Sequence, residues 1–299
     1  MNVSNNCLCI TIPILVVLSV LSCTGQAAEN GGSSYLPGFY GDFGMALMPT
    51  SGNYLSNFAG YNTAESSNAS NELIFELPGI LHITDVKLLE GKYLFGFFPY
   101  VLHTQAESVS GSDVSSSARA GWGDMYALPV AFSWQWQQFS LLLFEGVVLP
   151  TGSYDKNSSL NQGRNYWTLD SNVAITWQPL NTSYELSLNL GYMVNTTNTA
   201  TDYRTGDELH LDYLLGYYIN SNFGLGLAGS YYQQLTEDQG LSVPSNLPLA
   251  EYSSIGPAIL YNFKLDARDI SLSLKWLHEY GVNNHISGDY IILRTFLNF

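Results

Sequence analysis

Between Tyr184 and Val194 the chain reads YELSLNLGYMV, with Leu186, Leu188, Leu190, Tyr192 and Val194 apolar and Glu185, Ser187, Asn189 and Gly191 polar or small. Alternation at every second residue sorts side chains onto the two faces of a strand, and a helix cannot reproduce it. Asp269 to Leu277 repeats the pattern, with Ile270, Leu272, Leu274 and Trp276 set against Asp269, Ser271, Ser273 and Lys275. Tyr166 to Trp177 does so again, with Trp167, Leu169, Val173, Ile175 and Trp177 on one face. After the N-terminus no run approaches the ~20 apolar residues that a helix needs to span a bilayer.

A soluble sandwich would show the same alternation, so the connections must decide. Strands are expected over 53–64, 71–89, 92–107, 121–136, 138–151, 165–178, 182–196, 207–219, 223–235, 250–263, 268–281 and 287–299. Short turns such as Glu90-Gly91 and Lys264 to Ala267 alternate with long polar loops such as Ser108 to Ala120 and Gly152 to Arg164. Short turns on one side, long loops on the other and an even strand count describe an outer-membrane barrel. Hydrocarbon leaves no water for unpaired backbone groups, and only a closed sheet has no edge. The expectation is an all-β, transmembrane, antiparallel up-and-down β-barrel of about 12 strands in the bacterial outer membrane, in contact with outer-membrane lipid and lipopolysaccharide. Trp134 with Trp136, Trp167, Trp177, Tyr217 with Tyr218, and Tyr231 with Tyr232 are expected as girdles at the headgroups.

The first residues read as an address. Ile10 to Leu21 is an apolar core too short to span comfortably, followed by Gly25-Gln26-Ala27-Ala28, so residues 1–27 are expected to be a signal peptide. Cys23 after Val20-Leu21-Ser22 offers a lipoprotein alternative, which the bulky Leu21 fits poorly. Residues 28–52 form an N-terminal periplasmic or lumen-plugging segment and 53–299 the barrel. All three cysteines, Cys7, Cys9 and Cys23, precede Gly25, which leaves no disulfide framework for the mature fold. A net charge of −15 with only 10 Lys and Arg excludes a phosphate-neutralising surface, so nucleic acid is no partner. The final Phe299, in phase with Leu297 and Ile291, resembles the C-terminal signal read by the barrel-assembly machinery.

Several ordered motifs resemble the MetA-pathway of phenol degradation family. They are Tyr35-Leu36-Pro37-Gly38-Phe39-Tyr40-Gly41-Asp42-Phe43-Gly44, Pro49 with Gly52, Tyr54 and Leu55, Gly121-Trp122-Gly123-Asp124, and Leu149-Pro150-Thr151-Gly152-Ser153-Tyr154-Asp155. Asn165-Tyr166-Trp167-Thr168, Thr201 with Tyr203 and Gly206, and Ser254-Ile255-Gly256-Pro257 continue the series over about 35–299. The resemblance implies an outer-membrane barrel that passes small hydrophobic, often aromatic, compounds, with no catalytic residues.

Asp170, Glu185, His210, Asp212, Lys275 and Arg294 fall on the polar phase and are expected in the lumen, because Lys or Arg against lipid near the midplane costs roughly 2–4 kcal/mol. They suit either an interior salt-bridge plug or a polar conduit with a weak cation preference. Tyr93, Phe95 and Phe97, in phase with His103, are expected to line an apolar solute path with Phe39, Tyr40, Phe43, Met45 and Met48, or to pack against an N-terminal plug. Gly224-Leu225-Gly226-Leu227-Ala228-Gly229 matches a dinucleotide fingerprint but lies within a strand, where small residues make room in the lumen; no cofactor is expected. His278 and His285 are seven apart, which is no metal motif, and a metal is not expected. A structural or adhesive barrel and a barrel lipid hydrolase using His210 remain the alternatives to a channel. Acidic loop residues Asp113, Asp124, Asp202, Asp207, Glu208, Glu237 and Asp238 either bridge through divalent cations to lipopolysaccharide or form a solvated rim. Pro99, Pro129 and Pro257 inside assigned strands imply bulges or kinks.

Overall fold

The structure, a computed structural model, describes residues 33–65, 69–110, 113–158, 160–241, 243 and 248–299. The expected signal peptide and Cys23 lie outside the described residues. Among the described residues fourteen strands follow in order: β1 Gly52–Glu65, β2 Ala69–Leu88, β3 Gly91–Phe98, β4 Val101–Ser110, β5 Asp113–Trp122, β6 Met125–Gln135 and β7 Phe139–Leu149. They continue as β8 Thr168–Trp177, β9 Tyr184–Asn195, β10 Glu208–Tyr218, β11 Phe223–Gln234, β12 Glu251–Leu265, β13 Arg268–Asn283 and β14 Gly288–Asn298. Among the described residues no helix is long and apolar enough to cross a membrane.

Every pairing is antiparallel, and β1 bonds to both β14 and β2, so the sheet closes on itself. Twelve strands make the barrel and β4–β5 is an additional hairpin. The expected strand 92–107 is split at Pro99-Tyr100. β2 pairs with β3 from Ile80 to Leu88 and with β4 from Ala69 to Glu76, changing partner across Leu77–Gly79. Pro78 and Pro99 stand at that change and supply no N–H to a ladder. Ser108 to Ala120, expected as a loop, instead holds most of β5, because Ser115, Ser116 and Ser117 carry no apolar alternation to mark it. Pro129 coincides with a register shift between Ala127 and Val130, a bulge as expected, whereas β12 keeps register across Pro257. The outer edge of β5 is covered by the β7–β8 connection: Ser153 N–H donates to Trp122 O at 2.9 Å, and Arg119 donates to Leu160 O at 3.0 Å.

Tight turns join one end of the barrel. Leu89 and Glu90, both at positive φ, form the two-residue turn between β2 and β3, and Asp266 at φ 53° serves the turn between β12 and β13. The outer surface follows the alternation. On β8 and at the residue just before it, Trp167, Leu169, Val173, Ile175 and Trp177 are exposed, with an indole at each end of an aliphatic band. Leu188, Leu190, Leu215, Leu225, Leu227, Ile259, Leu274, Ile291 and Leu293 extend that band around the barrel. A continuous apolar belt of this kind is stable against hydrocarbon and not against water. Two expected girdle members point the other way. Tyr218 and Tyr232 follow Tyr217 and Tyr231 directly, so in a strand they must face inward, and Tyr232 is buried.

Candidate functional site

Polar side chains are buried on the inward phase of four strands: Asp170, Asn172 and Thr176 on β8, Glu185, Ser187 and Asn189 on β9, Glu208, His210 and Asp212 on β10, and Ser273 and Lys275 on β13. Each lies on the strand phase opposite the aliphatic belt. The partners that satisfy much of this row come from the segment Ser33–Met48.

Near the turn end, Lys275 donates to the carbonyls of Gly38 at 2.6 Å and Gly41 at 2.7 Å and pairs with Asp42 at 3.6 Å. Arg294 stands 3.7 Å from the same carboxylate and lies over the rings of Phe58 and Phe296. Asp42 further accepts from Ser273 Oγ at 2.7 Å and from the Phe43 amide. Glu185 accepts from Gly44 N–H at 2.6 Å, Tyr218 OH at 2.6 Å and Gln178 at 2.9 Å, while Thr176 Oγ1 accepts from Ala46 N–H. Phe43 fits against bare backbone. A Cβ on Gly216 or Gly226 would come within 3.0 Å of its ring, so the Gly224–Gly229 run makes room for this side chain.

Higher in the barrel His210 presents Nε2 to Asp170 at 3.0 Å and Nδ1 to Asp212 at 3.3 Å. Both nitrogens face carboxylate oxygens, an arrangement satisfied at both ends by the doubly protonated ring. Tyr35 and Tyr40 stack on that ring, with centroids at 4.4 and 5.2 Å. Tyr35 OH donates to Asp212 at 2.9 Å and Tyr40 OH to Asp170 at 2.6 Å. Carboxylates face both imidazole nitrogens, so among the described residues His210 is not arranged as the base of a Ser-His-Asp triad. Among the described residues no group of three or more His, Cys, Asp or Glu side chains is placed to hold a metal.

Above the segment, on the long-loop side, lies a cavity of about 470 Å³. Leu36, Phe39, Leu77, Leu102, Tyr100 and Tyr126 form its apolar lining, and Arg164, Tyr166, Gln162 and His285 its polar rim. The loops around it are braced by acids. Asp124 accepts from Gly152 N–H at 2.8 Å and Arg164 N–H at 2.6 Å, tying the Gly121–Asp124 and Leu149–Asp155 motifs together, and burial raises its carboxyl above the usual range. Asp238 accepts from Tyr203 OH, from Gly206 N–H at 2.7 Å and from Gln234 at 2.6 Å, and burial pushes its carboxyl up to about 6. Asp124, Glu208 and Asp238 are therefore buried braces, and neither a cation bridge nor a solvated rim describes them.

Of the residues expected in the lumen, Asp170, Glu185, His210, Asp212, Lys275 and Arg294 all face it. They bind the N-terminal segment more than one another. Tyr93, Phe95, Phe97 and His103 do not line an interior path. Leu94 and Phe98 are the buried partners on β3, while Phe97 is 52% exposed beside Ile80 at 54%, and His103 is exposed on β4. Both faces of this stretch are apolar, so alternation leaves its phase open. Phe39, Tyr40, Phe43, Met45 and Met48 do join interior clusters. Tyr232, expected in a girdle, instead stacks on Tyr35, and Tyr252, which stacks on Tyr232, carried no sequence signal beyond its phase.

The family model for "Putative MetA-pathway of phenol degradation" matches residues 45–295. The chain belongs to that family. Among solved structures, this phenol-degradation family member is similar to the COG4313 outer membrane channel from Pseudomonas putida F1, with a TM-score of 0.73 at 15% identity, covering 89% of this chain and 100% of that one. The translocator domain of autotransporter NalP from Neisseria meningitidis aligns at a TM-score of 0.48 and 7% identity over 85% of this chain and 90% of that chain. A Pseudomonas aeruginosa FadL homologue aligns at 0.43 and 7% identity, covering 88% of this chain and 93% of that one. No curated protein matches the sequence. The closed barrel, its apolar belt and the shared fold place the protein in the bacterial outer membrane.

Proposed function

We propose that the protein is a channel or facilitator for small hydrophobic and aromatic compounds, with a lumen closed at rest by its own N-terminal segment. The observation that carries this reading is the 470 Å³ cavity, which opens among the long loops and ends below on Tyr35, Phe39 and Tyr40. Its volume suits one small ligand, and its lining combines an apolar body with a few polar groups. Each CH₂ removed from water there contributes about 0.8 kcal/mol, which favours capture of an apolar solute from dilute solution. Residues 28–52 would act as the movable closure and 53–299 as the scaffold, after loss of a signal peptide at 1–27. Phe299 would serve as the signal to the assembly machinery. The name of the Pseudomonas putida relative, an outer membrane channel, agrees with passage through the barrel.

Intact cells with a complete lipopolysaccharide layer supply the test, because a bare bilayer admits such solutes unaided. Uptake of radiolabelled toluene and phenol should fall several-fold when the gene is deleted and return with it. Equal uptake with and without the gene, at verified expression, would discard the transport reading.

A further inference from the structure

Six rings stack through the barrel interior. Tyr40 lies on His210 with an interplanar angle of 13°, His210 on Tyr35 at 20°, Tyr35 on Tyr232 at 9°, Tyr232 on Tyr252 at 14° and Tyr252 on His285 at 24°. Three of the rings, His210, Tyr232 and Tyr252, belong to the wall, and His285 to the β13–β14 connection. His210 and Tyr232 are direct partners in the β10–β11 register, and Tyr232 and Tyr252 in the β11–β12 register. Direct antiparallel partners on one face stand about 4.5–5.5 Å apart at Cβ. Tyr232 and Tyr252 accordingly stack at 4.7 Å. Tyr35, by contrast, is brought in by the N-terminal segment and stacks on both His210, at 4.4 Å, and Tyr232, at 5.9 Å.

The chemistry at this position is specific. The Tyr35 hydroxyl donates to Asp212, a fully buried carboxylate whose other oxygen faces His210 Nδ1. A ring without a hydroxyl would leave that oxygen without its donor. A ring bearing a carboxylate would set one anion against another. The tyrosine side chain is itself a p-alkylphenol, held by two flat faces and one acceptor, and its backbone segment borders the solute cavity.

We propose that the position of Tyr35 on His210 and Tyr232 is a binding site for a neutral hydroxylated aromatic solute, which Tyr35 fills in cis until a solute ring displaces it. This rests on the transport reading and narrows it to a solute class and an entry step. Because Tyr35 is tethered, it competes at a high effective concentration and holds the wild-type affinity for free solute low. Displacement also removes one anchor of the closing segment, which couples binding to opening.

The test uses the whole mature protein folded in detergent, with p-cresol, toluene and p-toluate as probes and calorimetric titration as the readout. Tyr35→Ala should bind p-cresol at least tenfold more tightly than wild type and at least tenfold more tightly than it binds toluene, with p-toluate weaker still. Tyr35→Phe keeps the ring and loses the hydroxyl, and should show an intermediate gain for p-cresol; it also serves if the alanine variant fails to fold. In wild type, p-cresol should speed deuterium exchange of residues 33–48 and toluene at equal concentration should not. Equal p-cresol affinity in all three proteins, or equal affinity of Tyr35→Ala for p-cresol and toluene, would overturn the proposal. Such a result beside normal gene-dependent toluene uptake by cells would reject the Tyr35 site alone. Binding as expected without gene-dependent uptake would reject the transport reading instead.

Discussion

Replacing Lys275 by Met should undock the N-terminal segment while leaving the barrel intact. The ammonium is fully buried and makes two short bonds, to Gly38 O and Gly41 O, besides its pairing with Asp42. Hydrogen bonds to a charged group contribute about 1.5–3 kcal/mol each, and breaking a buried ion pair on one side costs about 3–5 kcal/mol. Two effects offset part of this. Methionine removes the desolvation penalty of the ammonium, and Asp42 keeps Ser273 at 2.7 Å and Arg294 at 3.7 Å. A net loss of about 3 kcal/mol remains, roughly a hundredfold shift toward the undocked state. Deuterium exchange at the amides of Gly44 and Ala46 reads this directly, since their acceptors are Glu185 on β9 and Thr176 on β8. Exchange there should accelerate about a hundredfold while the β8–β10 ladder stays protected. Unchanged exchange in a correctly folded Lys275→Met barrel would refute the reasoning, because two bonded carbonyls would then have lost their donor at no cost.

Gly226→Val would bring a side chain onto the Phe43 ring, 3.0 Å from the position of a Cβ. Overpacking of this kind costs about 1–3 kcal/mol, so exchange of Gly44 and Ala46 should rise about tenfold with the barrel still folded. Phe95→Ala with Phe97→Ala should leave solute uptake by cells unchanged, because both rings lie on the outer phase of β3; a large drop in uptake would restore them to the solute path. The Asp238 clasp should respond to pH. Its carboxyl sits at about 6 in the folded loops against an ordinary 3.8, so its contribution to docking is complete below about 3.8 and is lost as pH rises through about 6. Proteolytic nicking within 196–207, normalised to an unstructured peptide of that sequence, should therefore be faster at pH 8 than at pH 5. Asp238→Asn should flatten that difference, and an equal pH dependence in both proteins would count against it.

Much of this was legible because a barrel wall has one rule with two solvents. Asp170, Glu185, His210, Asp212 and Lys275 could be placed in the lumen from parity alone, since the alternative face is hydrocarbon. Parity failed where both faces are apolar, as at Tyr93–Phe98, and where both are polar, as along Ser115–Ser117 in β5. It also says nothing about what a lumen-facing group meets. Parity puts His210 beside Asp212 on the lumen face, but its second carboxylate comes from β8 and its stacked Tyr35 and Tyr40 rings from a segment about 170 residues away in the chain. Such contacts are fixed by barrel closure, which no local pattern records.

The seating of the N-terminal segment inside the barrel can be tested by one cross-link. A Cβ on Gly41 would lie 3.4 Å from Asp212 Cβ, close to the 3.5–4.5 Å typical of a disulfide, and all three native cysteines fall before Gly25. A segment held in the lumen requires that Gly41→Cys and Asp212→Cys, combined in one outer-membrane-inserted protein, join on mild oxidation and stop reacting with a thiol-specific mass tag. Two thiols that both take up the tag after oxidation, in a barrel that still resists unfolding in cold detergent, would contradict it.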